Sequence, residues 1–128
     1  MTAKTILVIH HEPNMLEVVQ ACLSDLGGWN VITAASPADG LQQAILKQPD
    51  GIVMDLPLAG LHQFTLLEQL RLQPATQMIP IVLLATRAKW LNLQQLQRYQ
   101  VAGVITHPDD PAFLSKQLST LLGWDVPA

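Results

Sequence analysis

Charge is scarce in this chain, which carries seven basic and ten acidic residues among 128 and a net charge of −3. The basic side chains (Lys4, Lys47, Arg71, Arg87, Lys89, Arg98 and Lys116) are scattered rather than gathered into a stripe. That distribution argues against direct binding of nucleic acid. There is one cysteine, so no internal disulfide can form. Val18, Val19, Leu23 and Leu26 place Cys22 on an apolar helix face as a packing residue. Although 49% of the residues are hydrophobic, no apolar run approaches the ~18–20 residues of a membrane span. Met1-Thr2-Ala3-Lys4 leads straight into the first apolar run and leaves no room for a secretory leader. The expectation is a soluble, cytoplasmic protein with neither a membrane nor a nucleic acid as partner. Thirteen glutamines stand where surface charges are usual, and they read as a neutral solvated surface.

The length suits one compact domain over residues 1–128, since domains cluster near ~100–150 residues. No repeat, linker or low-complexity segment divides it. Five short apolar runs (5–9, 30–34, 51–54, 81–85 and 103–106) alternate with stretches of helical periodicity, as in a parallel sheet covered on both faces. Pro13 opens the first helix, where Met15, Val19, Cys22 and Leu26 recur until Gly27-Gly28. Ser36 followed by Pro37 caps the second, which carries Leu41, Ala44 and Ile45 before Pro49 stops it. The third spans 61–72 and ends before Pro74. A fourth, with a blurred pattern, covers 88–99. The fifth spans 111–122, buries Leu114, Leu118, Leu121 and Leu122, and stops at Gly123. Trp29 and Trp124 read as packing residues. Right-handed crossovers then predict a doubly wound (βα)5 sheet of the flavodoxin-like kind, α/β in class, with strand order 2-1-3-4-5.

In such a sheet the carboxyl ends of the strands form the ligand crevice. Asp55 closes the run Gly51-Ile52-Val53-Met54 and is the first candidate for chemistry. His10-His11, Ala85-Thr86 and Thr106-His107-Pro108 end neighbouring strands and converge on it.

These residues resemble a family. Ile6-Leu7-Val8-Ile9-His10-His11-Glu12-Pro13-Asn14, Ile52-Val53-Met54-Asp55, Gly60, Pro80-Ile81-Val82-Leu83-Leu84-Ala85-Thr86 and Gly103-Val104-Ile105-Thr106-His107-Pro108 look like the receiver domains of two-component response regulators, in order and at matching intervals across the chain. The resemblance implies a phosphorelay signalling domain, not an enzyme, with Asp55 as the phosphoryl-acceptor position. It implies a histidine kinase or phosphotransfer protein as donor and, with no effector domain expected after Gly123-Trp124-Asp125-Val126-Pro127-Ala128, a separate effector protein as target. It also implies Mg2+ held by the acceptor aspartate, by an acid pair after the first strand, and by a backbone carbonyl that falls at Pro57. A cation there meets the charge on phosphoryl oxygens. A cis His107-Pro108 peptide is a further implication.

The chain departs from that pattern around Asp55. The acid pair is His10-His11, a poor donor set for Mg2+. The hydroxyl position holds Ala85, with Thr86 one residue late, and the lysine position holds His107. The aromatic switch position holds Val104, and Ala59 replaces the proline before Gly60. Glu12 is an acid close by, although receivers commonly carry a Glu there beside an intact acid pair.

Three readings follow. One is phosphorylation at Asp55. The second is a phosphorylation-independent pseudo-receiver acting as a protein-binding module. The third sets His10, His11, His107 and Asp55 around a transition metal such as zinc or nickel, although adjacent His10 and His11 converge only if the strand has already turned. Trp90, Leu91 and Tyr99 do not fit one apolar stripe and are candidate interface residues. They lie on the surface of the fourth helix, fifth strand and fifth helix through which receivers meet partners or a second copy.

Overall fold

The computed structural model describes residues 4–10, 13–21, 23–24, 28–55, 63–84, 101–105 and 111–124, with the side chains of 13, 15, 37, 55, 63–65 and 111–115 excepted. Five strands, β1 (Thr5–Ile9), β2 (Asn30–Ala34), β3 (Gly51–Asp55), β4 (Ile81–Leu84) and β5 (Val101–Ile105), form one sheet in the order β2-β1-β3-β4-β5. Every neighbouring pair is parallel. The order and the parallel direction of pairing are those expected from the sequence. Four helices are described: α1 (Pro13–Ala21), α2 (Pro37–Lys47), α3 (Gln63–Leu72) and α4 (Pro111–Leu122). The helix expected over 88–99 lies outside the described residues, as do Cys22 and the His107-Pro108 peptide.

The central strands are buried on both faces, which is why they read as unbroken apolar runs rather than alternating ones. Ile6, Leu7, Val8 and Ile9 have no exposed surface. Leu7, Ile9, Ile52, Met54, Ile81 and Leu83 pack under α2 and α3 against Ala44, Leu66, Leu67 and Leu70. Ile6, Val8, Val53, Val82 and Leu84 face the other way, against Leu16, Val19 and Leu23 from the α1 side and Leu118 of α4. The inward stripe therefore runs through Leu16 and Val19 of α1 to Leu23 just beyond it, at helical spacings of three and four. Val18, expected on the apolar face, is 44% exposed, because it lies about 100° around the helix from Val19.

Local chemistry sets the helix ends. Ser36 is extended (φ −143°, ψ 158°), and its side chain accepts the Asp39 N–H at 3.2 Å, which satisfies one of the otherwise unpaired donors of the first turn. At the other end Gln48 adopts the left-handed conformation (φ 45°), donates its N–H to the Ala44 carbonyl at 3.0 Å, and precedes Pro49. After α3, Arg71 is partly buried and donates to the carbonyls of Gln77 (3.0 Å) and Ile79 (2.8 Å). Burial lowers its pKa from the ordinary value. The carbonyls compensate the guanidinium for lost water and fold 73–79 into the turn that delivers β4.

Two strand boundaries differ from expectation. β3 runs through Asp55, which pairs with Leu84. β5 begins at Val101 rather than Gly103, because Val101 pairs with Ile81 before the register shifts and Gly103 pairs with Val82. Ala102 is the extra residue of a bulge, an irregularity that spacing alone does not signal.

At the amino edge, Asp50 ties β1 to the entry of β3. Its carboxylate accepts the Thr5 N–H at 2.8 Å, and its own N–H donates to the Thr5 carbonyl at 2.7 Å. Trp29 and Trp124 meet edge to face there with centroids 5.1 Å apart, and Lys4 lies 5.9 Å from the Trp124 ring. Both tryptophans are packing residues, as expected.

Gly103 lets α4 lie close on β5. A Cβ there would sit 2.5 Å from Leu121 Cδ2 and 3.1 Å from its Cγ. Gly103→Val should gain up to ~1 kcal/mol of strand propensity but lose about 1–3 kcal/mol to overpacking. A net loss in urea unfolding is expected, and an unchanged or raised midpoint would show that the two elements are less tightly packed.

Candidate functional site at the carboxyl edge of the sheet

The order of strands reverses between β1 and β3, because the chain leaves β1 for β2 on one side and returns to β3 on the other. Loops diverge at such a switch point and leave a crevice outside the carboxyl ends of the two strands. Asp55 is the last residue of β3, so its backbone stands at that point.

Register shows what stands level with it. Ile9 pairs with Met54, so the next residue of each strand, His10 and Asp55, lies one step further toward the carboxyl edge. On the far side Asp55 pairs with Leu84 and Leu84 with Ile105. A row His10, Asp55, Leu84, Ile105 therefore crosses four strands. Ala85 follows Leu84, and Thr106 and His107 follow Ile105, so the strands that lead to these residues end at the same edge.

His10 is held firmly in this row. Its N–H donates to the Ala34 carbonyl at 3.1 Å and extends the β1–β2 ladder past the last strand residue. Its side chain is 7% exposed, one of few polar side chains buried among the described residues. An imidazole thus occupies a desolvated place beside β3. His11, Glu12, Pro57, Ala85, Thr86 and His107 lie outside the described residues, as do Trp90, Leu91 and Tyr99. The suggested metal set of His10, His11, His107 and Asp55 has only His10 among the described side chains.

The chemistry of the donors can still be weighed against Mg2+. This small, hard cation takes near-octahedral oxygen ligands and retains several waters, whereas imidazole nitrogen suits zinc, copper or nickel. His10 brings a buried nitrogen to the strand end next to Asp55, and the following residue is a second histidine. These residues do not fit Mg2+.

A groove of about 320 Å3 opens between β5 and α4, lined by Val104, Ile105, Lys116, Gln117, Thr120 and Leu121. The sequence places the fifth helix, α4 here, on this surface but singles out none of its residues. The signal was available in the polar Lys116, Gln117 and Thr120 set against the buried Leu118. Val104 is half-buried there and packs against the α2/α3 core, a branched aliphatic where the resemblance calls for a mobile ring.

Comparison with known proteins places this geometry. The pattern of the response regulator receiver domain matches residues 6–119. Protein PilH of Pseudomonas aeruginosa is 26% identical over 117 residues, covering 91% of this chain and 96% of PilH. Response regulator Rre1 of Synechocystis is 27% identical over 120 residues, covering 92% of this chain but 51% of Rre1, so the chain spans about half of that larger regulator. Among solved structures, the chemotaxis response regulator CheY4 of Vibrio cholerae superposes with a TM-score of 0.82 at 24% identity, covering 94% of this chain and 99% of its own. The receiver domain of a sensor histidine kinase from Pseudomonas aeruginosa, solved with magnesium coordinated in its active-site cleft, gives 0.80 at 23% identity, covering 95% of this chain and 99% of its own.

Proposed function

Because the chain belongs to the response regulator receiver family, whose members act in phosphorelay signalling, we propose that Asp55 is its phosphoryl acceptor and that residues 1–128 form one receiver unit. The observation that carries this reading is the position of Asp55 at the end of β3, at the switch point of the sheet and level with His10. Receiver domains are signalling modules rather than enzymes in general, and they work with histidine kinases or phosphotransfer proteins and with effectors.

In the proposed step a carboxylate oxygen of Asp55 attacks the phosphorus of a phosphohistidine. The P–N bond breaks, an O–P bond forms, and the donor's imidazole leaves to regain a proton from water. The product is an acyl phosphate on Asp55. Where cation chemistry is weak, the transferring charge is met less well, so transfer should be slow from small donors.

Output is assigned to the surface of the segment 88–99, β5 and α4. The groove between β5 and α4 supports this, as does the absence of an aromatic at Val104 that could signal by swinging inward. Partner proteins, or a second copy, would seat there. A cytoplasmic location is part of the same reading, in keeping with the finding that no described helix is long and apolar enough to cross a membrane.

Intact mass followed over a prolonged incubation with acetyl phosphate, long enough for slow transfer from a small donor, tests the acceptor. The wild type should gain one phosphoryl group and Asp55→Asn none. An equal gain in both would place the acceptor elsewhere, and no gain in either would leave a phosphorylation-independent binding module.

The partner surface has its own test. Trp90→Ala, Leu91→Ala or Tyr99→Ala should weaken association by ~2 kcal/mol or more if these are anchor residues, with circular dichroism unchanged and association followed by sedimentation and by pull-down from the source cell. If all three leave association untouched, or if Trp90→Ala unfolds the domain, these residues are core packing.

A further inference from the structure

We infer that this receiver does not bind Mg2+ at its carboxyl edge, so that whatever transfer Asp55 supports proceeds without that ion; the inference rests on the reading of this edge as the receiver site. The position of His10 carries it. Ile9 pairs with Met54, which sets His10 next to Asp55 across adjacent strands. The Ala34 carbonyl fixes the His10 backbone at 3.1 Å. The residue is 7% exposed, so a buried imidazole, and not a solvated carboxylate, stands at the end of β1 beside β3. The His10 backbone cannot shift without breaking its bond to β2.

Charge and ligand type point the same way. The family arrangement sets three carboxylates around a doubly charged ion. At the corresponding positions this chain keeps one, Asp55, and has imidazoles at 10 and 11. A single negative charge offsets half the charge of the cation. The oxygen donors that must replace its tightly held water are largely missing. Nitrogen donors do not make up the difference for a hard ion. Glu12 is the one further acid in the His10-His11-Glu12 segment, and it is therefore included in the test.

Calorimetric titration of the whole chain with MgCl2 decides the matter, with amide shifts at Ile9, His10, Met54 and Asp55 as a local readout. The wild type should show no saturable binding at millimolar Mg2+. The double variant His10→Asp/His11→Asp should gain affinity by ~10-fold or more, since even outer-shell partners of a metal change affinity by ~10–100-fold. That gain should vanish when Asp55→Ala is added. Because two new acids at a buried edge could unfold the domain, His10→Asn/His11→Asp offers a second route, with a neutral oxygen donor at position 10. Wild-type binding at millimolar Mg2+ that is lost in Asp55→Ala or Glu12→Gln overturns the inference. So does a folded carboxylate variant that binds no better than the wild type. Neither result depends on phosphorylation, so this inference and the assignment of Asp55 as acceptor fail separately: by metal binding in the one case and by the absence of an Asp55-dependent mass gain in the other.

Discussion

Strands β1, β3 and β4 lie between two apolar layers, and that double burial governs the rest of the molecule. Ile6 to Ile9, Ile52 to Met54 and Ile81 to Leu83 have no exposed surface. Each such side chain contributes roughly 1.5–3 kcal/mol relative to exposure. A one-residue slip of any strand would exchange its two faces. It would set Ile9 and Met54 against the α1/α4 layer in place of the α2/α3 layer that they fill. Register is thereby tightly specified. The level of Asp55 beside His10 and Leu84 follows from it, as does the meeting of the strand ends at one edge.

The same magnitudes explain how chemistry at the edge can change while the fold stays. A hydrogen bond at the rim is worth about 0.5–1.5 kcal/mol net, far less than the sum over the buried strands. Imidazoles can replace carboxylates after β1 without threatening the sheet, since the sheet does not depend on them. What changes is the class of ion that the edge can hold. The receiver architecture does not depend on the residues that surround the proposed acceptor, Asp55.

Much of the fold was legible in the sequence, because its signals were strong and local. Continuous apolar runs mark doubly buried strands. Ser36-Pro37, Pro49 and Gly123 mark helix ends, and the structure uses each of them there. The errors came where tertiary contacts decide. Val18 and Val19 are equally apolar, and only the phase of α1 against the sheet exposes one of them. The bulge at Ala102 arises because Val101 and Gly103 both pair with consecutive residues of β4, which no spacing rule announces. The close approach of α4 to Gly103 is likewise a property of two packed elements. The placement of Asp55 and His10 was legible from strand ends. The α4 wall of the groove was legible only as part of a partner surface, since polar Lys116, Gln117 and Thr120 opposite a buried Leu118 are also the ordinary pattern of a solvated helix face.

The central claim is that signalling chemistry resides at the carboxyl edge beside Asp55 and not at the amino edge, where Trp29, Trp124 and Lys4 gather. Amide shift mapping in the presence of acetyl phosphate tests it most directly. The account predicts perturbations centred on His10, Met54, Asp55, Leu84 and Ile105, absent in Asp55→Asn, with Lys4, Trp29, Gly51 and Trp124 unmoved. Shifts centred on the amino edge, or a pattern indifferent to Asp55→Asn, would contradict it.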